Sequence, residues 1–444
     1  MLPYPALKGE ASHGRTGEEC KKGGVGFSYR PGSRLDRYRL LRIGNYWAGV
    51  GSDRCGLYPD GFSRILTLKG NRAEGLQQRK RKTRVTFPPP KESTVRLTRR
   101  HFIKHSFLLG GSLLFSSSHA HAIQKREGWY PAYEKLEQEG KLAQKVKQAY
   151  ALFEHCELCP RRCGVNRRKG EKGFCRAPLK AVVFSAHPHF GEEMSLVGQH
   201  GSGTIFFSNC NLRCIFCQNW PISHEGKGEE VEDADVADLM LHLQKIGCHN
   251  INLVTPTHVM PNILNATQLA LKKGLRIPLV YNTSGYERQE ILKILDGIVD
   301  IYMPDMKYMD PEKAAKYSAG ASDYPEVTKK ATIEMHRQVG VLQIDSRGIA
   351  LRGLMIRHLV MPNRVAGTET FVRWVAEALP KSTYVNIMAQ YRVEYKAYEH
   401  PEISRGITVE EFMEAMEWAK KVGLTHLDPN SVATRDFYLK RQVP

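Results

Sequence analysis

The body of this chain lacks an excess of charge of either sign. The whole sequence of 444 residues has a net charge of +19, which by itself would suggest a nucleic-acid partner. Residues 1–122, however, hold 23 of the 65 Lys and Arg residues and 8 of the 46 Asp and Glu residues, so residues 123–444 keep 42 and 38. Because this body is nearly balanced and has no basic stripe with interleaved aromatics, we expect no nucleic-acid partner.

Long hydrophobic runs are also missing. The apolar run at 107–115 is too short to cross a bilayer, so we expect no stable membrane span. Residues 1–94 have little helical or strand periodicity and contain the run QQRKRKTR at 77–84, followed by three prolines. We interpret them as a disordered or misassigned upstream extension, since nothing in them would build a core.

Residues 95–122 have the three-part order of an export signal. The pair Arg99-Arg100 in TRRHFIK precedes the apolar run, and Ala120-His121-Ala122 supplies a small-residue cleavage site. The segment resembles a twin-arginine signal, which bacteria read as an address. We therefore expect translation to start near Val95, from a valine codon. The alternative is a basic extension with a chance arginine pair.

Cysteine is scarce outside two tight groups, which hold seven of the ten. Grouped cysteines in a large α/β chain are more often metal ligands than disulfide partners. The first group has the spacing C-x2-C-x3-C-x11-C, with glycines that allow a short loop to fold around a metal; its members are Cys156, Cys159, Cys163 and Cys175. Four thiolates can bind either zinc or an iron–sulfur cluster, and the spacing does not distinguish the two. We favour an auxiliary [4Fe–4S] cluster.

The second group lacks a fourth cysteine. Cys210, Cys214 and Cys217 have the spacing C-x3-C-x2-C, whereas a [4Fe–4S] cluster ordinarily takes four thiolates. Three thiolates leave one iron open, and an open iron can chelate the amino and carboxylate groups of S-adenosylmethionine (SAM). An electron from such a cluster breaks the sulfonium bond and releases a 5′-deoxyadenosyl radical. The alternative is a closed structural cluster whose fourth ligand is Cys248 or a histidine.

This spacing, with Phe216 before the last cysteine, resembles the signature of the radical SAM superfamily. Longer segments over about residues 150–430 resemble the PflX-like proteins, a family named for its similarity to pyruvate formate-lyase activating enzymes. These segments are CELCPRRCGVNRRKGEKGFC, CNLRCIFCQNW, HNINLVTPTH, YNTSGYE, DIYMPDMKYMD, EMHRQVG, RHLVMP and TYVNIMAQYR. The resemblance implies an enzyme that cleaves SAM and abstracts hydrogen, from a glycine of a glycyl-radical enzyme or from another protein or small molecule. It also implies a reduced flavodoxin- or ferredoxin-like donor.

Strands and helices alternate after the cysteine loop. The predicted strands are 204–208, 250–256, 277–284, 299–306, 351–361 and 384–391, and the predicted helices are 233–246, 260–273, 287–296, 323–340, 368–379 and 407–423. Near-continuous apolar strands suit a parallel sheet buried on both faces. Six such units match the partial (β/α)6 TIM-type barrel of radical SAM enzymes. We therefore predict an α/β protein with a helical, four-cysteine lead-in at 123–195, a core domain at 196–430 and a tail at 431–444.

The resemblance implies that SAM is contacted at the carboxyl ends of the strands. Related activases bind the methionyl amino group with a Gly-Gly-Glu stretch after the second strand. Here Thr255-Pro256-Thr257-His258 stands in that place without a glutamate, so the hydroxyls of Thr255 and Thr257, or backbone carbonyls, are the expected substitutes.

Further contacts are expected along the next strands. Asn282 and Ser284 end the third strand, where the ribose and carboxylate are contacted in related enzymes. Asp305 and Lys307 end the fourth, and Lys307 would neutralise the carboxylate of SAM. His358 in the fifth is a further candidate, with a packed structural histidine as the alternative.

Two other classes of protein remain as rivals. A two-cluster electron-transfer protein would use both cysteine groups without cleaving SAM, but it needs no barrel with polar strand ends. A zinc-bound interaction module explains only residues 156–175. We place the activity in the cytoplasm, where SAM and low-potential donors are found; export by the twin-arginine route from residues 95–122 is the alternative.

Overall fold

A computed structural model describes residues 129–441. The predictions of an upstream extension and an export signal lie outside these described residues. The helices are α1 (Ala132–Gln138), α2 (Leu142–Ala151), α3 (Met194–Val197), α4 (Trp220–Ser223), α5 (Asp233–Lys245), α6 (Met260–Lys272), α7 (Gln289–Leu295), α8 (Pro311–Tyr317), α9 (Tyr324–Val339), α10 (Thr368–Ala378), α11 (Val409–Lys421) and α12 (Pro429–Arg441). The strands are β1 (Ala181–His189), β2 (Ser202–Phe207), β3 (Glu229–Val231), β4 (Ile251–Val254), β5 (Leu279–Thr283), β6 (Ile301–Pro304), β7 (Gln343–Ile344), β8 (Ala350–Leu359) and β9 (Tyr384–Met388).

Six of these strands run parallel in one sheet. The order is β3-β1-β2-β4-β5-β6-β8-β7, and β9 also pairs with β8. Strands β2, β4, β5, β6, β8 and β9 form the parallel set, while β1, β3 and β7 are antiparallel to their neighbours. Helices connect the parallel strands, as parallel pairing requires. The structure confirms the α/β class and the six predicted βα units.

The helices form where an apolar face meets a terminal capping signal. Helix α11 shows this: Thr408 and Glu411 make a capping box, with their side chains bonding each other's backbone N–H at 3.2 and 2.9 Å. Phe412, Ala415 and Met416 then bury one face of the helix. Each of the six helices predicted from this pattern begins and ends within two residues of its predicted bounds.

Three apolar clusters fill the part of the chain that the structure describes. The largest lies between the sheet and the helices that cover it. A second, built from Val280, Ile301, Met303, Met355 and neighbours, fills the inside of the barrel towards the amino-terminal ends of the parallel strands. A third, rich in tyrosine, lies at the opposite ends of the strands and includes two cysteines of the second group. The cysteine loop therefore packs against a cluster of buried aromatic side chains.

Two elements extend across the predicted domain boundaries, which stay a prediction. Strand β1 pairs with β2 over six residues, so the sheet begins before residue 196. Residues 429–441 are helical, where a tail was predicted from 431. Within the described chain, none of the helices is both long and apolar enough to cross a membrane.

Candidate functional site

The loop with the second cysteine group begins directly after β2. Asn209 and Arg213 adopt left-handed backbone conformations, with φ of 75° and 54°, which turn the chain sharply around the cysteines. Asn211 is fully buried, and its Nδ2 donates to the carbonyl of Tyr286 at 3.0 Å. The loop thus lies at the carboxyl ends of the parallel strands, where β/α barrels hold their chemistry.

Each sulfur of this loop accepts at least one hydrogen bond from the protein. Cys210 Sγ accepts from the Leu212 N–H at 3.3 Å, Cys214 Sγ from the Ser318 hydroxyl at 3.1 Å, and Cys217 Sγ from the Ser223 hydroxyl at 3.2 Å. Donors around metal-bound thiolates orient the ligands and tune the metal. This donor set fits thiolate ligands of an iron–sulfur cluster, and the sequence pattern did not reveal the two serines.

Two thiols of the loop, those of Cys214 and Cys217, are poor acids without a metal. Burial raises the pKa of Cys214 to about 12, against an opposing effect of the Lys307 charge, and burial raises the pKa of Cys217 as well. A metal must therefore displace protons when it binds these sulfurs. In the described part of the chain, no three His, Cys, Asp or Glu side chains are grouped to hold a single ion. A [4Fe–4S] cluster, with four irons, spreads its ligands over a larger volume than one ion does.

Asp305 and Lys307 follow β6 directly and lie beside this loop, close enough for the Lys307 charge to act on Cys214. Lys307 Nζ contacts Asp305 Oδ2 at 2.6 Å, and both side chains are largely buried. Burial opposes the charge of Lys307, but Asp305 and the nearby Cys214 outweigh it and raise the pKa of the ammonium group. Lys307 is therefore a fixed positive charge facing the cysteine loop.

Three other predicted residues occupy the ends of β4 and β5. Thr255 has φ of 60°, a conformation that a β-branched residue adopts only under strain, and its N–H donates to the Asn282 carbonyl at 2.9 Å. Ser284 has a buried hydroxyl with no hydrogen-bond partner among the described residues. Asn282 is buried beside Val254 and Met303 on the neighbouring strands. These positions offer strained or unsatisfied polar groups near the loop.

Two predicted residues are engaged elsewhere. The Thr257 hydroxyl donates to Glu287 Oε1 at 2.5 Å in a fully buried pair. His358 is also fully buried and stacks on Phe371 at 4.2 Å, while its Nδ1 and Nε2 contact the Met306 carbonyl and the Thr368 hydroxyl at 2.7 and 2.9 Å. Neither side chain has a free polar group directed at the cysteine loop, and His358 has the packed role that was its alternative.

A charged network below the loop was not found from the sequence. Glu193 is buried and accepts from Arg357 Nε and Nη2 at 2.7 and 2.6 Å and from Asn386 Nδ2 at 2.8 Å, while Glu192 also contacts Arg357. Burial opposes ionisation of Glu193, but Arg357 outweighs it and lowers the pKa. The sequence did not point to Glu193, because the acidic doublet Glu192-Glu193 precedes no helical pattern.

The first cysteine group surrounds a buried cation. Arg167 is 1% exposed and has no carboxylate partner among the described residues; it donates to the carbonyls of His258 and Pro178 and stacks on Phe153 at 4.5 Å. Its charge opposes the burial that raises the pKa values of Cys156 and Cys175. An unpaired buried cation is costly, and a negatively charged metal–thiolate centre would balance it. The charge balance therefore favours a negatively charged metal–thiolate centre at this place, although these four thiols, too, are not grouped around a single ion in the described part of the chain.

The same group packs tightly against itself and against the second group. A side chain at Gly173 would come within 2.3 Å of Cys163 Sγ, so only glycine fits there. The Arg161 guanidinium donates to the carbonyls of Asn211, Ser318 and Ala319 at 3.1, 3.0 and 2.9 Å. The Cys210 thiol is close enough to contribute to the raised pKa of Cys175, after the larger effect of burial. The two cysteine groups are therefore neighbours.

The eight cysteines of the described region are all free thiols. The fold and this site together define an α/β-barrel protein with a thiol-rich centre at the carboxyl ends of its parallel strands. Residues 204–342 match the model of the radical SAM superfamily, which covers the cysteine loop and the first four parallel strands.

Two relatives of known sequence also match the chain. The uncharacterized protein MJ0674 of Methanocaldococcus jannaschii is 34% identical over 290 residues, which are 63% of this chain and 78% of that protein. The uncharacterized protein MJ0808 of the same organism is 24% identical over 287 residues, 58% of this chain and 78% of that protein. The chain belongs to the radical SAM superfamily, in one family with the first of these proteins.

Solved structures resemble the chain only weakly. Methylornithine synthase (PylB) matches 70% of this chain and 80% of its own length at 12% identity, with a TM-score of 0.35. SuiB of Streptococcus suis, bound to SAM, matches 53% of this chain and 46% of its own length at 10% identity, with a TM-score of 0.32. Membership of the superfamily supports SAM-dependent radical chemistry and implies a [4Fe–4S] cluster together with SAM.

Proposed function

We propose that Cys210, Cys214 and Cys217 hold a [4Fe–4S] cluster with one open iron, and that the chain is a SAM-cleaving enzyme that abstracts hydrogen from its substrate. When bound, the cluster supplies one electron to SAM, which gives methionine and a 5′-deoxyadenosyl radical. The observation that supports this assignment best is the set of three hydrogen-bonded sulfurs in the loop after β2.

The residues around the loop supply binding and orientation. Lys307 provides a positive charge for the carboxylate of SAM, and Asp305 fixes its position. Ser284 and Asn282 offer polar groups at the end of β5, and Thr255 holds the end of β4 in a strained conformation. The tyrosine-rich cluster beneath the loop keeps water from the reaction.

The first cysteine group is proposed to hold an auxiliary [4Fe–4S] cluster, with zinc as the alternative. The buried Arg167 supports a negatively charged centre at this place. For the substrate, we propose a glycine Cα–H of a partner protein, as in glycyl-radical activation. Another protein or a small molecule is the second candidate.

The test is anaerobic reconstitution of the full chain with iron and sulfide, followed by dithionite and SAM, with 5′-deoxyadenosine as the product measured. Iron and zinc are counted in the same samples. The Cys210→Ala/Cys214→Ala/Cys217→Ala variant should lose the product, and Cys248→Ala, which changes a buried cysteine outside both groups, should keep it. A wild-type protein with a loaded cluster and no product would favour the electron-transfer alternative.

A further inference from the structure

The positive charge of the folded body is concentrated on the first cysteine group. Residues 156–177 contain seven Lys and Arg residues and two Glu residues, whereas residues 123–444 as a whole hold 42 basic and 38 acidic residues. This segment therefore accounts for the entire basic excess of the body. Five of its cations are exposed, namely Arg162, Arg168, Lys169, Lys172 and Arg176.

Part of this charge converges with other cations at the edge of the second cysteine loop. Arg213 lies within the loop and its Nη2 approaches the His224 carbonyl at 3.5 Å, while the Lys396 N–H donates to the Ile215 carbonyl at 2.9 Å. The ring of His224 contacts the Cys214 carbonyl at 2.9 Å. Three positive charges lie close enough to act on this ring, and they belong to Arg213, Lys396 and Arg176. These three residues are called the basic rim below.

The charges of the basic rim are not neutralised by the protein. None of its three residues forms an ion pair with a carboxylate in the described part of the chain. Arg176 and Lys396 are exposed, whereas Arg213 is half-buried, and its buried Nη1 has no hydrogen-bond partner among the described residues. Exposed arginines elsewhere are mostly paired, as Arg337 is with Asp296 and Arg373 is with Glu369, each at 2.7 Å. Unpaired surface charge next to a redox centre attracts a partner of opposite charge and speeds its association.

Aromatic side chains border the basic rim. Trp220 and Tyr395 stack with ring centroids 5.5 Å apart, and His224 lies 4.4 Å from the Tyr395 ring. Tyr398 is 69% exposed on the same segment, directly after the residues that cover the loop. Tyrosine, tryptophan and arginine are the residues enriched in the energetically important parts of protein interfaces. The surface thus has the composition of a protein-docking site.

We propose that the basic rim is the docking surface for an acidic one-electron carrier protein. The inference rests on the proposed function, because SAM cleavage at the neighbouring loop consumes one electron per turnover. In the step concerned, the docked carrier is oxidised by one electron and the centre held by the cysteine loop is reduced by one. A carrier docked on the rim would lie next to the loop. Arg213 is part of the loop, and the backbone N–H of Lys396 donates to it.

The test compares two reductants. In the full-length, iron-loaded protein, Arg176→Glu/Lys396→Glu should lower the rate of 5′-deoxyadenosine formation with reduced flavodoxin about tenfold at low salt, while the rate with dithionite, which needs no docking, stays unchanged. Added salt should slow the flavodoxin-driven rate of the wild type and leave the variant little affected. The milder Arg176→Gln/Lys396→Gln variant should lie between them, and it replaces the first variant if charge reversal prevents folding.

The matched control is Lys135→Glu/Lys245→Glu. Both lysines are exposed, and they lie on α1 and at the end of α5, near the amino-terminal ends of the parallel strands. The control changes net charge by the same amount and should leave both rates unchanged. An equal loss in the control, or an unchanged flavodoxin-driven rate in the rim variant, would overturn the proposal.

A binding measurement separates this inference from the proposed function. Titration of flavodoxin onto the iron-loaded protein at low salt should give a Kd about tenfold weaker for the rim variant than for the wild type, whether or not SAM is cleaved. If the wild type makes no product with either reductant, the proposed function fails, and this titration still decides the docking surface. If the wild type binds a labelled oligonucleotide that the variant does not bind, and flavodoxin affinity is the same for both, the rim is a nucleic-acid site and the proposal is wrong.

Discussion

At the scale of single residues, Lys307 combines burial, a fixed position and a charge that faces the cysteine loop. Its ammonium group is held by Asp305 at 2.6 Å and senses Cys214. A charge held in this way loses little entropy when it binds a carboxylate, because its rotamer is already fixed. Lys307 is therefore the side chain of this site from which we expect the largest contribution to SAM affinity.

The variant Lys307→Gln should weaken SAM binding about tenfold, which corresponds to about 1.4 kcal/mol. Equilibrium binding of radiolabelled SAM to the iron-loaded protein measures this. Lys330→Gln changes an exposed lysine on α9 and serves as the control. Unchanged affinity in Lys307→Gln would mean that the carboxylate of SAM lies elsewhere.

Glu287 shows how burial controls a carboxyl group at the same scale. It is fully buried, it accepts from the Thr257 and Thr283 hydroxyls through Oε1, and its Oε2 has no partner among the described residues. Burial raises its pKa from the ordinary 4.5 to about 7, although both hydroxyls oppose this shift. Between these two values the folded state binds a proton that the unfolded state has lost, so stability falls as the pH rises.

The pH dependence of Glu287→Gln follows from that sign. Glutamine resembles the protonated acid at every pH, so the variant should match the wild type near pH 4.5 and exceed it by about 3 kcal/mol above pH 7. Urea unfolding at a series of pH values, in the same metal-loaded state for both proteins, measures the difference. A gap that does not widen between pH 5 and pH 7 would show that Glu287 titrates normally in the folded protein.

At the scale of elements, the first cysteine segment is attached to the loop after β2 mainly through one side chain. Arg161 reaches three carbonyls on the loop and on the turn after α8, and its guanidinium lies 4.0 Å from the centre of the Phe174 ring. Alanine would leave three carbonyls without their donor. The next residue, Arg162, is exposed and makes none of these contacts.

Arg161→Ala should therefore loosen the segment locally rather than unfold the protein. We expect amide hydrogen exchange within residues 156–177 to become faster by the equivalent of about 2 kcal/mol, with little change in the core strands. Arg162→Ala is the matched control and should leave exchange in the segment unchanged. Equal effects of the two substitutions would contradict the role assigned to Arg161.

The elements that could be predicted from sequence are those with a strong local pattern. Helices such as α6 and α11 have regular apolar faces, and the parallel strands have apolar runs, so periodicity alone finds them. Strand β1 was missed because AVVFSAHPH has neither a continuous apolar run nor a clear alternation, and its burial is irregular as well. Strands β3 and β7 have three and two residues, too few for a period to show.

The residues of the candidate site likewise divide into those with a local sequence signal and those without one. Cysteine spacing and polar strand ends are local signals, and they led to the thiol groups and to Asp305 and Lys307. The partners Ser318 and Arg161 lie about a hundred and about fifty residues from the cysteines and carbonyls they contact, so no sequence window contains both members of a pair. His358 did have a sequence signal, but the signal was ambiguous. A histidine on a strand near the site gives the same sequence pattern whether its ring nitrogens are free to bind a ligand or are hydrogen-bonded within the protein.

At the scale of the whole molecule, the segment after β1 holds distant parts of the barrel together. Glu193 joins this segment to β8 through Arg357 and to β9 through Asn386, while Leu196 enters the apolar cluster inside the barrel. Six parallel strands do not close a barrel as eight do, so their outer members need such a connection. The ion pair is buried, and removing one member of a buried pair leaves the other charge without compensation.

Glu193→Gln should therefore destabilise the whole fold. Breaking a buried ion pair lowers the free energy of unfolding by several kcal/mol. Because Arg357 keeps its contact with Glu192, we expect a loss at the lower end of that range, about 3 kcal/mol. The urea midpoint should fall with no change in the slope, because the same surface is exposed on unfolding. Glu192→Gln removes only the ion pair between Glu192 and Arg357, and it should lower the free energy of unfolding clearly less than Glu193→Gln does.

The pH dependence of this loss has a defined sign. Because the pKa of Glu193 is lowered in the folded state, its stabilising effect is present above the ordinary carboxyl pKa and disappears as the pH falls through the lowered value. The difference between wild type and Glu193→Gln should therefore be constant near neutral pH and shrink in acid. If the two substitutions cost the same, or if the difference grows in acid, the segment after β1 is not held to β8 and β9 by this carboxylate.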